Sequence, residues 1–277
     1  LSFGASVRAD EVFSLPDDVA AHGGFAVYLG SGDPEVIKPF CSDERFTLQG
    51  LCEDARQVDF LRNHLTIEGS YGRVSVHEFH GKRLPYVDGL VNCIVVDDLG
   101  EVPIDEVVRV LAPGGSAFFI GQELTNQKYS DVIGVMDDIR SLSTGRIVKR
   151  RPDDIDEWTH FLHDASNNAV AADTQVGPPR ALQWVAPPLW LRTHETPSGI
   201  QASVTGGGRI YYIFDEGLVG IADERIPDRW SLVCRDAFNG RLLWKKPLDK
   251  WGWREWNYNR YAGKDWLELR AARTDVP

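Results

Sequence analysis

The sequence predicts an α/β unit built on a doubly wound parallel sheet, followed by an all-β segment. Three features carry this prediction. Residues 25–121 alternate short apolar runs with segments of helical period. A glycine turn, Gly30-Ser31-Gly32, closes the first apolar run. Beyond about residue 145 the helical period gives way to β-rich runs punctuated by Pro and Gly pairs.

The elements follow in order. Phe25 to Leu29 is a short apolar strand ending at Gly30-Ser31-Gly32-Asp33, and Pro34 suits the first position of a following helix. Thr47 to Leu51 is a second strand. Glu53 to Leu65 reads as a helix, with Ala55, Val58, Leu61 and Leu65 at three- to four-residue steps. Val74-Ser75-Val76 is a third strand. Leu90 to Val96 is nearly all apolar, the pattern of a strand buried on both faces of a parallel sheet. Ile104 to Leu111 is a helix stopped by Pro113-Gly114-Gly115, and Ala117 to Gly121 is another strand. Strands alternating with helices imply βαβ units.

A short helix is expected over Asp153 to His163, capped by Asp153 or Asp154. Gly177-Pro178-Pro179 and Pro187-Pro188 punctuate an extended stretch. Arg209 to Phe214 and Trp230 to Cys234 are β-rich, and Asn239-Gly240 is a hairpin turn. Leu182-Gln183-Trp184 recurs as Leu242-Leu243-Trp244, each followed by a nearby proline. Trp is concentrated after residue 180, which fits aromatic packing between repeated sheets.

Composition bounds the function. The 277 residues have room for one large domain or two ordinary ones, and a 43% hydrophobic content supports real cores. A net charge of −11, from 41 acidic and 30 basic residues, argues against a nucleic-acid or anionic-membrane partner. The basic run Lys149-Arg150-Arg151 reads as a solvated linker. No run approaches the ~18 apolar residues of a membrane span. Leu1 to Ala9 has the small residues of a secretory-signal tail, so residues 1–10 are read as the remnant of an export signal and the chain as periplasmic or extracellular. The competing reading is a disordered start of a clipped chain. The four cysteines form no CxxC pair, and Cys93 and Cys234 read as core residues.

Four motifs occur in a fixed order over residues 24–121: Ala26-Val27-Tyr28-Leu29-Gly30-Ser31-Gly32; His80-Gly81-Lys82-Arg83-Leu84-Pro85-Tyr86; the strand Leu90 to Val96; and Glu106-Val107-Val108-Arg109-Val110-Leu111-Ala112-Pro113-Gly114-Gly115. Together they resemble class I SAM-dependent methyltransferases, a Rossmann-like fold. The resemblance implies S-adenosylmethionine as ligand and Gly30, Gly32, Asp33, Glu53, His80 and Asp97 as cofactor-binding residues. It also exposes departures. Tyr28 stands where the family has an acid two residues before the first glycine. Cys52 stands at the ribose-binding acid, with Glu53 one place late. His80 replaces the acid on the adenine side, Asn92 the acid entering the central strand, and Pro34 the third glycine.

Two readings of the first unit follow. In one, Gly30, Gly32 and Glu53 hold SAM, Asp97 or Asp98 faces the substrate, and the chain is an active methyltransferase. In the other, favoured by the missing acids, the sheet is a non-catalytic scaffold or binding subunit of a larger exported assembly. A ribose diol wants a carboxylate acceptor, and a sulfonium wants nearby negative charge.

Residues 205–248, with their Leu-x-x-x-Asp-Ala-x-x-Gly-x-x-Leu-Trp hairpin, resemble one PQQ-like β-propeller repeat. One blade leaves its edges unprotected, so further blades are expected in cis or in another chain, within a hetero- or homo-oligomer. The resemblance allows PQQ or calcium in a complete propeller, and a quinoprotein oxidoreductase with its active site elsewhere is a third reading. The expected organisation is therefore an export remnant over 1–10, a methyltransferase-like Rossmann domain over 11–145, a connector over 146–180 and an incomplete propeller segment over 181–277. His160 and His163, on one face of the expected connector helix, could hold zinc or iron with Asp156, Glu157 or Asp164. Without metal, they cap and pack the connector. The aromatic stretch Trp251 to Tyr261 reads as packing, a subunit contact or a sugar-stacking surface.

Overall fold

The computed structural model describes residues 13–120, 136–138, 145–175, 177, 182–187, 200–217 and 229–249. The chain divides into two compact units, Leu1–Pro152 and Asp153–Pro277. The expected export remnant, the aromatic stretch Trp251 to Tyr261 and most of the Gly177-Pro178-Pro179 punctuation lie outside the described residues.

The first unit runs α1 (Asp17–Ala20), β1 (Gly24–Leu29), α2 (Pro34–Ser42), β2 (Phe46–Cys52), α3 (Ala55–Ile67), β3 (Val74–Glu78), β4 (Val91–Val96), α4 (Ile104–Val110), β5 (Leu111–Phe119), β6 (Met136–Asp138) and β7 (Arg146–Lys149). Its seven strands are ordered β3-β2-β1-β4-β5-β7-β6. The first five are parallel, whereas β7 is antiparallel to β5 and to β6. The doubly wound expectation is met and the all-parallel one corrected: the sheet is mixed. Residues 146–149, which the sequence places in a connector, are a strand of this sheet.

Strand parity sorts the core into two layers. Ala26, Tyr28, Cys93 and Val95 face one side, where Val36, Ile37 and Phe40 of α2 and Val58, Leu61 and Leu65 of α3 cover them. Val27, Leu29, Ile94 and Val96 face the other, covered by Ile104, Val107 and Val108 of α4. Both faces of β1 and β4 are thus buried, as the apolar runs require.

Side-chain caps start two of the helices. Asp33 accepts a hydrogen bond from the Glu35 amide and Asp54 one from the Arg56 amide, so the second of these helices begins slightly after its expected start at Glu53. Arg73 closes the other end of α2: its guanidinium donates to the carbonyls of Phe40, Cys41, Asp43 and Phe46. The helix expected to run to Leu111 stops at Val110. The expected Pro113-Gly114-Gly115 stop lies within β5, whose pairing skips from Val91↔Leu111 to Cys93↔Ser116. Residues 112–115 are thus an insertion in the ladder, and glycine tolerates such an irregularity.

Two of the quoted motifs explain one another. Glu106 Oε1 accepts the Leu84 amide at 2.7 Å and the Arg109 guanidinium at 2.6 Å. Arg109 also donates to the carbonyl of Tyr86 at 2.9 Å and pairs with Asp88. The Glu-x-x-Arg pair on α4 therefore staples the Leu84–Asp88 loop to the helix. Lys149 contributes nearby, donating to the carbonyls of Arg109 and Leu111, so the basic run is not wholly a solvated linker.

In the second unit, β8 (Ile200–Gly206), β9 (Arg209–Asp215), β10 (Trp230–Asp236) and β11 (Leu242–Pro247) form one antiparallel meander, ordered β11-β10-β9-β8. Among the described residues of this unit these strands form a single sheet. Gly207 and Gly208, with φ of +60° and +73°, make a two-residue hairpin that suits strand twist. The second hairpin falls where the sequence puts it, but Asn239-Gly240 is not a two-residue turn. The loop wraps Asp236, whose carboxylate accepts the amides of Phe238 and Asn239. Gly240 has φ +71°, and a Cβ there would strike the Trp184 ring. Trp184 Nε1–H donates to the Ala237 carbonyl at 2.9 Å and Gln183 Nε2–H to the Phe238 carbonyl at 2.8 Å.

The helix expected over Asp153 to His163 does not form. His163 has φ +71°, which no right-handed helix accommodates, and His160 and His163 form an isolated antiparallel bridge. Non-helical hydrogen bonds hold the segment instead. Asp156 Oδ2 accepts the Ala172 amide and the His163 ring, and the Trp158 amide donates to Thr205 Oγ1.

Two outcomes test this account. The Arg109 guanidinium beside Glu106 holds its carboxyl below the usual range. The pair's contribution is complete above the unfolded carboxyl pKa of about 4.3 and is lost as pH falls through the lower folded value. Glu106→Gln is expected to lose about 1–3 kcal/mol at neutral pH, measured by urea unfolding. Its gap to wild type narrows below about pH 4, and a gap constant with pH contradicts the ion pair. Gly240→Ala is expected to destabilise the sheet unit by about 1–3 kcal/mol in calorimetry, because the new methyl displaces Trp184; an unchanged transition contradicts that contact.

Candidate functional site

Strand order fixes where a site can form. The chain adds β2 and β3 on one side of β1, then β4 and β5 on the other, so the sheet reverses between β1 and β4. In open α/β sheets the crevice beyond the carboxyl ends at such a reversal is where ligands bind. Here β1 pairs with β2 and β4 in parallel, matching Leu29 to Leu51 and to Val96. The segments Gly30–Asp33, Glu53–Asp54 and Asp97–Gly100 therefore emerge side by side.

A cleft of about 280 Å³ opens at this point, lined by Leu29, Gly30, Ser31, Leu51, Glu53, Asp54, Gln57, Phe79, Asp98, Leu99, Gly100 and Val102. Glu53 follows the last residue of β2 and is exposed in the cleft. Cys52 is buried against the opposite helical layer, and burial raises its thiol pKa to about 11. The carboxylate one place late is thus the one that reaches the cleft: two residues beyond Leu51, it falls by strand alternation on the side of the sheet that Leu51 faces, and Leu51 also lines the cleft. Gly100 adjoins it. With φ +52° and no side chain, Gly100 leaves room for the Glu53 carboxylate, and a Cβ there would land on Glu53 Oε1. Asp98 Oδ1 accepts the Gly100 amide at 3.0 Å and fixes this turn.

The glycine turn is held from below. Tyr28 is fully buried, yet its hydroxyl donates to Asp97 Oδ2 at 2.7 Å and accepts the amides of Gly32 and Asp33, both at 3.1 Å. Asp97 Oδ1 accepts the Ser31 amide at 2.8 Å, and its Oδ2 accepts the Ser31 hydroxyl at 3.0 Å. A Cβ on Gly30 would land on Asp97 Oδ1, so glycine is what lets the carboxylate approach. Burial, then the Asp97 carboxylate, raises the Tyr28 pKa well above that of an ordinary phenol.

The site residues expected from sequence fall into separate places. Gly30 and Glu53 line the cleft. Gly32, Asp33 and Asp97 belong to the bonded framework of the turn, and of the two acids ending β4, Asp98 is the one in the lining. His80 is exposed, its ring on Glu78, and outside the lining. Asn92 accepts the Phe25 amide at the amino end of the sheet. His160 and His163 share no helical face: His160 meets Thr159, and His163, largely buried, meets Asp156 and the Trp158 ring. Among the described residues no group of three metal-ligating side chains occurs. No helix of the described residues is long and apolar enough to cross a membrane. Sequence reasoning missed Phe79, Gln57 and Gly100; the Asp-Asp-Leu-Gly turn closing the central strand was the available signal for Gly100.

No family model and no curated protein match the chain. Solved structures do resemble it. One is a SAM-dependent methyltransferase from Aquifex aeolicus, at 13% identity and TM-score 0.38, covering 46% of this chain and 82% of that one. Another is the [4+2]-cyclase SpnF, at 24% identity and TM-score 0.33, covering 37% and 42%. A third is geranyl diphosphate C-methyltransferase from Streptomyces coelicolor, at 17% identity and TM-score 0.33, covering 41% and 49%. The chain spans less than half the length of the latter two. The assignment of the fold rests on the chain's own strand order and register.

Gly30→Ala is expected to cost about 3 kcal/mol in urea unfolding, since the methyl must push Asp97 off the turn. Gly69→Ala is the control: its φ of +72° is strained for alanine, but no atom lies near the new methyl, so about 1 kcal/mol is expected. Equal losses contradict the close approach of Asp97.

Proposed function

We propose that the first unit binds S-adenosylmethionine in the cleft beyond β1, β2 and β4, and that the chain is a SAM-dependent methyltransferase. The observation that carries this reading is the charge of the cleft. Its ionisable lining is Glu53, Asp54 and Asp98, with no Lys, Arg or His among the described lining residues. Asp54 is paired with Arg56, which leaves Glu53 and Asp98 to set the field. Two carboxylates repel the phosphates of a dinucleotide and attract a sulfonium or ammonium group.

The donor set fits the ligand. The Glu53 carboxylate is an acceptor suited to the two hydroxyls of a ribose. Phe79, Leu99 and Val102 offer apolar surface to a purine. Gly30 lets the backbone come close to a bound nucleoside. A cleft of about 280 Å³ suits a single nucleoside better than a dinucleotide. Bound SAM supplies a methyl group made electrophilic by the sulfonium. The chain's own residues hold the ribose, attract the cation and keep the turn in place; positioning is the main contribution that methyl transfer asks of a protein.

A second reading has its own observation. The amides of Ser31, Gly32 and Asp33 are already engaged by Tyr28 and Asp97, so the turn offers a ligand fewer donors. That favours a non-catalytic scaffold or binding subunit. For the second unit, the four-stranded meander and the Trp184 contact on the Gly240 loop support the proposal that it is one blade of a β-propeller, completed in cis or by another chain of an exported assembly.

Isothermal titration with SAM separates the two readings of the first unit. A dissociation constant on the order of micromolar is expected for wild type. Glu53→Ala is expected to weaken it at least about tenfold through loss of a charge-assisted bond, with an unchanged melting temperature. No heat of binding in wild type defeats the methyltransferase reading.

A further inference from the structure

We infer that Tyr28 and Asp97 are a positioning pair for the ligand turn, in which the neighbouring strand supplies the carboxylate that β1 lacks. Toward the ligand, this rests on the reading that SAM binds the cleft; toward the turn, it stands on the geometry alone.

Position 28 is where the methyltransferase resemblance implies an acid. Strand parity turns its side chain into the layer covered by α2 and α3, beneath the turn and away from the cleft lining. A phenol there has one hydrogen to donate and two lone pairs to accept with. All three are used: the hydrogen by Asp97 Oδ2, the lone pairs by the amides of Gly32 and Asp33. Asp97 takes the remaining amide, that of Ser31. Three consecutive amides are thereby fixed by two side chains from adjacent strands. The β1–β4 register makes this reachable, because Leu29 pairs with Val96 and the next residue on each strand is Gly30 and Asp97. The negative charge lies on Asp97, while the hydroxyl extends its acceptor capacity to amides the carboxylate does not itself take. The raised Tyr28 pKa keeps that hydroxyl a donor at any ordinary pH.

The chemistry makes an asymmetric forecast. Tyr28→Phe would leave the Gly32 and Asp33 amides without their hydroxyl acceptor. Tyr28→Glu would supply an acceptor but bring a second carboxylate against Asp97, unless Asp97 were made neutral. The test uses the full chain with Tyr28→Phe, Asp97→Asn, Tyr28→Glu and the double variant Tyr28→Glu/Asp97→Asn. Hydrogen exchange of the Ser31–Asp33 amides is read by mass spectrometry, and SAM affinity by titration. Tyr28→Phe, which removes one atom and adds no volume, and Asp97→Asn are expected to speed exchange of these amides about tenfold or more, and to weaken SAM by a similar factor. Tyr28→Glu alone is expected to be the most impaired. The double variant is expected to recover slow exchange and SAM binding to within about threefold of wild type, since one carboxylate again serves the turn. The inference is overturned if Tyr28→Phe exchanges like wild type, or if a folded double variant is no better than Tyr28→Glu. If wild type binds no SAM, the methyltransferase reading falls, and the exchange rates alone decide whether the pair holds the turn.

Discussion

Between β1 and β4 the chain changes the side on which it adds strands, and the parallel pairing of these two strands is what every feature of the cleft depends on. It requires both to be buried on both faces, which is why residues 25–29 and 91–96 are almost wholly apolar. It also brings three strand ends to one place. Polar groups cannot be carried along a doubly buried strand, so they gather where the strands stop. Glu53, Asp97 and Asp98 are the result.

Two glycines make that gathering sterically feasible. Gly30 admits Asp97 beneath the turn, and Gly100 admits Glu53 beside the cleft. In each case a backbone without Cβ lies opposite a carboxylate from a different strand. The glycines of the turn are therefore needed first for close packing within the protein, whatever they also do for a ligand. The two acids differ in consequence. Asp97 is consumed by the framework, whereas Glu53 and Asp98 give the cleft its charge.

Much of this was legible in the sequence. The strands and helices of residues 24–119 fall close to their expected places because period and capping are local properties. The Pro34 start and the buried central strand needed no tertiary information. The motif Glu106-x-x-Arg109 was legible as a pattern, but its work on the Leu84–Asp88 loop was not, since the partners are about twenty residues apart. The connector helix failed for the complementary reason. Asp156 and the Trp158 amide find partners outside the segment, at Ala172 and Thr205, and the His163 ring turns back onto Asp156, bonds that outweigh a weak local helical propensity.

The sequence by itself determined the alternation of elements and the burial of the central strands on both faces, because these follow from apolar periodicity; the strand order, and with it the place of the cleft, is set by lateral pairing. Only the tertiary structure decided which acid does what. Counting positions along β2 points to Cys52 and demotes Glu53, and counting along β1 registers Tyr28 as a lost acid. The folded chain shows what counting does not: Glu53 stands in the cleft on the side that Leu51 faces, and the β1–β4 register sets Asp97 within reach of the Tyr28 hydroxyl. Sequence order fixes which residues exist, but lateral pairing fixes which side chains meet.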